Sequence, residues 1–528
     1  MTKFIFTTGG VLSGLGKGVT SASIGNLLKS QGFKVFALKL DPYLNIDPGL
    51  LSPIEHGEVY ITNDGWKCDL DLGHYERFID VDLSKNSNYT SGRIYNEIFK
   101  KEAKGYYNGK TIQIVSHVTD EIINIIESTA KKEKCDFMLI EIGGTVGDIE
   151  SRAHIYAISQ FALKHPKQVF FNHIAFVPYL SASKEYKSKP SQFSIAELRT
   201  FGINPNLLLL RSQGEIDESI INKVANASFL NSRNVISVPD KANVYEIPIY
   251  LYKQDLLSII YDHFGIKKEI DEDALKPWVN FTNKYNQEKN NSLNIMMLGE
   301  DVALEDAYLS TITSLKISSV YANVKLNLIF KSIKDFKNSS LKDFIDENKI
   351  KGIMLLPGST DNKTFMDKVN LIGQIKVLNV PVLAYDDAFL ATVANSVIKL
   401  NQNDLNIDLF NKKTTENSLF KPANKQLKIG SNTIKLINNT IIQNIYKTDE
   451  VSERYNIRFE LNEKFLNNIV LDDLIFNSYD AQMQVPQSCE LKNHPFYLAV
   501  EYHPEFTTRV LKSNKIFDAF IDACNSSK

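Results

Sequence analysis

The chain has 528 residues, about three domains' worth at roughly 150 each, and 43% of it is apolar. That is enough to bury sizeable cores and excludes a disordered or collagen-like chain. Lys and Arg total 60 against 62 Asp and Glu, a formal charge of −2, so nothing points to a nucleic-acid partner. Cys68, Cys135, Cys489 and Cys524 lie far apart with no C-x-x-C spacing and read as free thiols of a reducing compartment. No run of ~18 apolar residues occurs, and the N-terminus enters a short strand rather than a leader. The expectation is a soluble, cytoplasmic protein without a membrane partner.

In the first half, short runs apolar on both faces alternate with longer helical patterns: Lys3–Thr8, Lys34–Leu40, Asp136–Ile142, His173–Leu180, Leu207–Arg211 and Asn234–Pro239. Strands covered by helices on both sides need that pattern, which predicts a doubly wound parallel α/β sheet. Residues 1–268 form this domain. A Lys- and Asn-rich stretch then breaks the pattern, and residues 269–291 read as a linker. A second series follows, Leu293–Leu298, Val324–Phe330, Gly352–Leu356, Val380–Tyr385 and Tyr497–Tyr502, predicting another α/β domain over 292–528. Inside it, Asn401–Lys428 is polar and reads as a loop or a decayed insertion.

Between the first strand and a helix through Ser23–Lys29 runs Gly9-Gly10-Val11-Leu12-Ser13-Gly14-Leu15-Gly16-Lys17-Gly18-Val19-Thr20. Glycines let backbone N–H groups converge on phosphate oxygens, a helix N-terminus adds positive potential, and Lys17 reaches the terminal phosphates. The strict G-x-x-x-x-G-K-[ST] pattern fails because Gly18 follows Lys17, and a glycine turn with an ordinary lysine is the competing reading. Asp71 follows a turn, and Glu141 sits at a strand's carboxyl end, where ligands of such sheets bind. On spacing alone, each acid is better explained as a cap or salt-bridge partner than as a ligand. Pattern alone thus reaches a nucleoside-triphosphate enzyme with two α/β domains.

Longer motifs go further. The phosphate-loop run, Lys39-Leu40-Asp41-Pro42-Tyr43, Ser52-Pro53-Ile54-Glu55-His56-Gly57-Glu58-Val59, Asp69-Leu70-Asp71-Leu72-Gly73-His74, Glu141-Ile142-Gly143-Gly144-Thr145-Val146-Gly147-Asp148-Ile149-Glu150 and Lys187-Ser188-Lys189-Pro190-Ser191-Gln192 together resemble the CTP synthase family. The resemblance implies a P-loop-type synthetase domain followed by a class I glutamine amidotransferase-like domain, and a homotetramer. It implies that ATP with Mg²⁺ phosphorylates the 4-oxygen of UTP, that ammonia displaces the phosphate, and that CTP acts as a feedback inhibitor. Carried over by motif, Gly14, Leu15, Gly16, Lys17, Gly18, Val19, Asp71 and Asp240 bind ATP, Lys17 and Lys39 assist phosphoryl transfer, and Asp71 and Glu141 hold magnesium. Ser13, Lys187, Ser188, Lys189, Pro190, Ser191, Gln192 and Lys223 bind the UTP triphosphate, and Asp148, Ile149 and Glu150 the cytosine nucleotide. Pro239-Asp240-Lys241 departs from the family's adenine-contacting Lys-Asp-Val.

The second half departs more. Where the family's amidotransferase elbow reads Pro-x-Leu-Gly-Ile-Cys-Leu-Gly, this chain reads Pro381-Val382-Leu383-Ala384-Tyr385-Asp386-Asp387-Ala388. Asp386 stands in place of the nucleophilic cysteine, and Pro357-Gly358-Ser359-Thr360 in place of Pro-Gly-Gly-Phe, so Ser359 brings a side chain to a close-approach position. His503 and Glu505 remain, and Arg458 keeps its Arg-Phe-Glu context. A carboxylate is a weak nucleophile toward an amide, and losing a catalytic nucleophile costs on the order of 10⁶ in turnover. Asp386, just before a helix over Ala388–Leu400, is expected to be an N-cap whose side chain accepts from the first helical N–H groups, and His503–Glu505 a packing pair. The expected function is an ammonia-dependent CTP synthase without glutaminase activity, in which GTP matters little. A catalytically silent scaffold paralogue, an enzyme still using glutamine through an unrecognised nucleophile, and a dethiobiotin synthetase-type ligase sharing only the phosphate loop are the alternatives.

Overall fold

A computed structural model describes residues 1–12, 14–51, 57–300, 302, 305–400, 405–411, 414–423, 427–466 and 469–527. The chain divides into two compact units, one of Met1–Leu51 and Cys68–Asn286, the other of Ser52–Lys67 and Gln287–Lys528.

The first unit is built on a seven-stranded sheet. Its strands are β1 (Lys3–Gly9), β2 (Val35–Asp41), β3 (Asn88–Thr90), β4 (Phe137–Ile142), β5 (Val169–Phe176), β6 (Leu207–Ser212) and β7 (Val235–Pro239). They pair in the order β7-β6-β5-β1-β4-β2-β3, every pair parallel. Central β1 sets Phe6 opposite Ile140 on one side and Phe171 on the other, and Phe6 and Ile140 are fully buried. Helices cover both faces, hence the continuous apolar runs. The strand expected at His173–Leu180 lies four residues earlier. Val169–Ile174 are buried and pair with β1, whereas Tyr179–Leu180 form an exposed ribbon with Glu185–Tyr186.

The expected linker is corrected in part. Lys276–Asn286 is a helix of the first unit. Trp278, Phe281 and Tyr285 recur at the three- and four-residue spacing of one helical face. Trp278 is buried, donates from Nε1 to Tyr245 O at 2.8 Å and packs on Phe78.

The second unit holds a nine-stranded sheet. Five strands match the expected series: β8 (Ser292–Gly299), β9 (Lys325–Ser332), β10 (Ile350–Leu355), β11 (Val382–Tyr385) and β16 (Tyr497–Val500). They run parallel in the order β9-β8-β10-β11-β16. The sheet then continues antiparallel through β15 (Pro486–Leu491), β14 (Leu474–Asp480), β12 (Lys428–Leu436) and β13 (Glu450–Ile457). The expected loop Asn401–Lys428 is also corrected. Among its described residues, Phe420–Pro422 pair antiparallel with Phe459–Leu461, and Leu409 and Leu419 are buried in the core.

Residues Gly57–Lys67 group with this second unit. Arg454, 1% exposed, donates to Tyr60 Oη at 3.1 Å and Ile61 O at 2.9 Å, and Tyr60 Oη donates to Phe506 O at 2.9 Å. Glu58 accepts from Ser310 N at 3.1 Å. Removing a buried guanidinium strands the acceptors it serves. Arg454→Ala is expected to cost about 3 kcal/mol in the second unit's stability, read as a shifted denaturation midpoint; a change under about 1 kcal/mol would show that these bonds contribute no more than surface contacts do.

Candidate active site

At the carboxyl edge of the first unit's sheet, β1 runs through Gly9 into a glycine-rich turn that ends at Gly16, and α1 (Lys17–Ser30) begins at Lys17. The N-cap position is Gly16, which has no side chain to cap the helix, and an N-terminus of that kind leaves first-turn N–H groups for an anion. Lys17 is buried, and its Nζ donates to the carbonyl of Gly144 at 2.9 Å. Leu15 is buried beside it. Ser13 lies outside the described residues.

Directly beneath the loop is a cluster of acids. α2 (Asp71–Ile79) begins at Asp71, and a Cβ on Gly18 would meet Asp71 Oδ1 at 2.2 Å, so only glycine lets α1 come this close. Lys39, buried at the end of β2, pairs with Asp71, with Asp69 at 3.2 Å and with Asp41 at 3.5 Å. Burial pushes the Asp71 carboxyl up, but Lys39, His74 and Lys17 together hold it below its ordinary value. Glu141 is buried at the end of β4 and accepts from Tyr75 Oη. Burial first, then the charge of Asp71, pushes its carboxyl up to about 7. Asp71 raises the proton affinity of buried Glu141, and a cation between the two carboxylates would relieve that repulsion. Among the described residues no group of three or more His, Cys, Asp or Glu is arranged to hold a metal. Magnesium sharing its shell with phosphate oxygens and water needs fewer protein carboxylates, so Asp71 and Glu141 fit it.

The remaining expected residues fall into three places. The Asp148 carboxylate accepts from Thr145 N at 2.8 Å, folding the turn after β4, while Ile149 and Glu150 line a cavity of about 430 Å³ with Leu44, Tyr95 and Tyr156. Ser188 precedes α3 (Lys189–Thr200), where Pro190 stands in the first turn; Ser191 Oγ donates to Phe176 O at 2.7 Å, and Gln192 Nε2 to Ser188 Oγ at 3.1 Å. Lys187 pairs with Glu185, whose carboxyl Lys223 also helps hold below its ordinary value. Beyond β7, Asp240 pairs with Arg211 at 2.6 Å, and Lys241 with Glu215 at 3.2 Å and over the Tyr250 ring. The lysine in the unusual Pro239-Asp240-Lys241 is thus committed to an acid.

The second unit carries a different centre. β11 ends at Tyr385, and Asp386 has φ 55° and ψ −125°, a strained turn into α4 (Asp387–Ile398). Such a strand–turn–helix elbow presents a nucleophile in hydrolases, but here it carries a carboxylate. The N-cap expectation is corrected, because the Asp386 side chain caps nothing. Its Oδ2 lies 3.7 Å from His503 Nε2, and His503 Nδ1 lies 2.8 Å from Glu505 Oε1. The next residue is tied to a different segment: Asp387 Oδ2 accepts from Ser359 N, in the turn after β10, at 2.8 Å. Asp387 is held in turn by buried Lys368 at 2.8 Å. Sequence reasoning missed the Lys368–Asp387 pair; two charges within otherwise apolar runs were its only signal. Cys489 and Cys524 are fully buried, and burial pushes both thiols well up.

The elbow has a pH signature. Burial alone would lower His503, but Glu505, then Asp386 and Glu58, raise it from 6.5 to about 9. A raised histidine contributes stability in full below 6.5 that is lost as the pH climbs through 9. Asp386, raised from 3.8 to about 7 chiefly by burial, gives a slope of the same sign at lower pH. The second unit is therefore expected to lose stability from about pH 6 to 9, and His503→Gln to flatten that loss, read as denaturation midpoints against pH. An equal slope in the variant would contradict the assignment.

Residues 3–266 match the family described as CTP synthase N-terminus, and residues 303–523 that described as glutamine amidotransferase class-I. The chain is 44% identical over 531 residues to the CTP synthase of Mycoplasmopsis pulmonis (strain UAB CTIP), covering 99% of this chain and 98% of that one. It is 37% identical over 551 residues to that of Pelagibacter ubique (strain HTCC1062), covering 100% of both. To the CTP synthase of Methanosphaera stadtmanae it is 36% identical over 541 residues, covering 100% of this chain and 99% of that one. With the motifs of the first unit and the elbow of the second in the matched spans, the chain belongs to the CTP synthase family.

Proposed function

We propose that the chain converts UTP to CTP at the expense of ATP, taking its nitrogen from free ammonia rather than glutamine. The 4-oxygen of a uracil ring is a poor leaving group until it is phosphorylated; ammonia then attacks carbon 4, phosphate leaves with the bonding pair, and a proton is shed from nitrogen. The N–H groups at the start of α1 and the ammonium of Lys17 would stabilise the charge on the phosphoryl group in transit, since positioning and electrostatics supply most of such catalysis. Asp71 and Glu141 would hold the magnesium that accompanies ATP, whose charge offsets that of the phosphates. Lys39 keeps the acids beneath the loop close together. Lys187, Lys189 and Lys223 would meet the UTP triphosphate.

The nitrogen source is supported by one observation above all: the elbow holds the Asp386 carboxylate where a thiolate is needed. The neighbouring Ser359 N–H, a natural oxyanion donor, is already given to Asp387. CTP formation with ammonium chloride against glutamine tests the reading. Ammonium is expected to support turnover that rises roughly tenfold per pH unit while NH₃ is the minor species, and glutamine to support none. A glutamine-dependent rate abolished by Asp386→Ala would overturn the nitrogen source, and no turnover with either would leave a silent paralogue.

A further inference from the structure

A buried relay runs under the phosphate loop. β1 and β5 pair in a register that sets Thr8 opposite His173, and Thr8 Oγ1 lies 2.8 Å from His173 Nδ1. On the other side of the ring, Nε2 lies 2.6 Å from Ser194 Oγ on α3. His173 and Thr8 are buried, and burial with the nearby charge of Lys17 pulls the imidazole down to about 3. The ring is neutral, with one N–H and one lone pair.

That leaves two senses for the chain of hydrogen bonds. With the proton on Nδ1, Thr8 accepts, Ser194 donates to Nε2, and Ser194 offers only lone pairs elsewhere. With the proton on Nε2, Thr8 donates to Nδ1, Nε2–H donates to Ser194, and the Ser194 hydrogen is free. Ser194 lines a cavity of about 360 Å³ with Gly10, Val11, Thr145, Val146 and Gly147. A Cβ on Gly10 would fall 1.5 Å from Ser194 Oγ, so the loop's glycine is what admits the hydroxyl to this wall. Phosphate oxygens only accept, and they select the sense in which Ser194 donates.

We propose that Ser194 donates its hydroxyl to the triphosphate of the pyrimidine nucleotide, and that His173 and Thr8 act as positioning residues that set the direction of that bond. The assignment rests on reading this edge as the nucleotide site. The pyrimidine nucleotide is favoured over ATP because the cavity is lined by the turn Thr145–Gly147 just before Asp148 and by Phe193, Ser194 and Glu197 of α3 rather than by the first turn of α1.

Steady-state kinetics with ammonium and a 15N-histidine spectrum of the full chain test it. Ser194→Ala is expected to raise KM for UTP about tenfold or more, with KM for ATP changed less than about twofold. His173→Leu should reproduce that rise, the double variant should add nothing to it, and His173→Gln, whose amide still donates toward Ser194, should restore most of the affinity. In the wild type, His173 should carry its proton on Nε2 and not titrate between about pH 5.5 and 8.5. An unchanged KM for UTP in Ser194→Ala, an equal rise in both nucleotides' KM, or an Nδ1–H tautomer in the UTP-bound protein would each overturn the proposal. The spectrum decides even if His173→Leu does not fold, and turnover with ammonium in the wild type keeps the test separate from the question of nitrogen source.

Discussion

Replacing Lys17 by methionine is expected to lower ammonia-dependent CTP formation by about 10³-fold or more, with thermal stability close to wild type. The two lysines under the loop differ in how their charge is committed. Lys39 faces Asp71, Asp69 and Asp41 and is neutralised by them. Among the described residues, the hydrogen-bond partner of Lys17 Nζ is a neutral carbonyl, that of Gly144. The Lys17 ammonium feels Asp71 and Glu141 only at a distance, so more of its charge is open to an incoming phosphate than that of Lys39, and in a site shielded from water that charge counts for far more than on the surface. Methionine preserves the stem that packs over Gly9 and removes only the charge. Rates with ammonium, UTP and ATP at saturation measure the loss; a fall smaller than about tenfold would place the transition-state charge elsewhere.

The first unit was largely legible because parallel strands buried on both faces write themselves as unbroken apolar runs, and five of the second unit's strands are of the same kind. The antiparallel remainder was not. Lys428–Leu436 intersperses buried with more exposed residues, and Glu450–Ile457 buries the charged Glu453 and Arg454, so no apolar run marks them. Nor does chain order reveal that Gly57–Lys67 pack with residues near 454 and 506. Long-range burial of one arginine decides that, and an arginine in a sequence does not say what it will be buried against.

At the elbow, the substitution of Asp386 for cysteine could be read directly, but not what the side chain would do. A cap and a strained elbow share the same residue types and differ in the sign of φ, which depends on how β11 is held by its neighbours. The Ser194–Thr8–His173 relay was equally hidden. Its three members come from β1, β5 and α3 and meet only once the register of the sheet is set.

Restoring the thiol alone is expected not to restore glutamine use. In Asp386→Cys, the elbow and the His503–Glu505 pair would remain, and the sulfur would sit beside an imidazolium, so alkylation by iodoacetamide should report a thiol pKa depressed to about 7 or below. Glutamine hydrolysis also needs donors for the tetrahedral oxyanion, each worth about 10²–10³ in turnover, and Ser359 N–H remains bound to Asp387. Glutamate release by Asp386→Cys should therefore stay at background while its thiol reacts readily. Adding Asp387→Leu with Lys368→Met removes both halves of the buried pair, so neither partner is left as a lone charge, and frees that N–H. This triple variant is expected to release glutamate faster than the single one by about 10²-fold. Efficient hydrolysis by Asp386→Cys alone would show that the missing sulfur was the only lesion; a triple variant as inert as the single one would place the remaining defect in glutamine binding rather than in the oxyanion site.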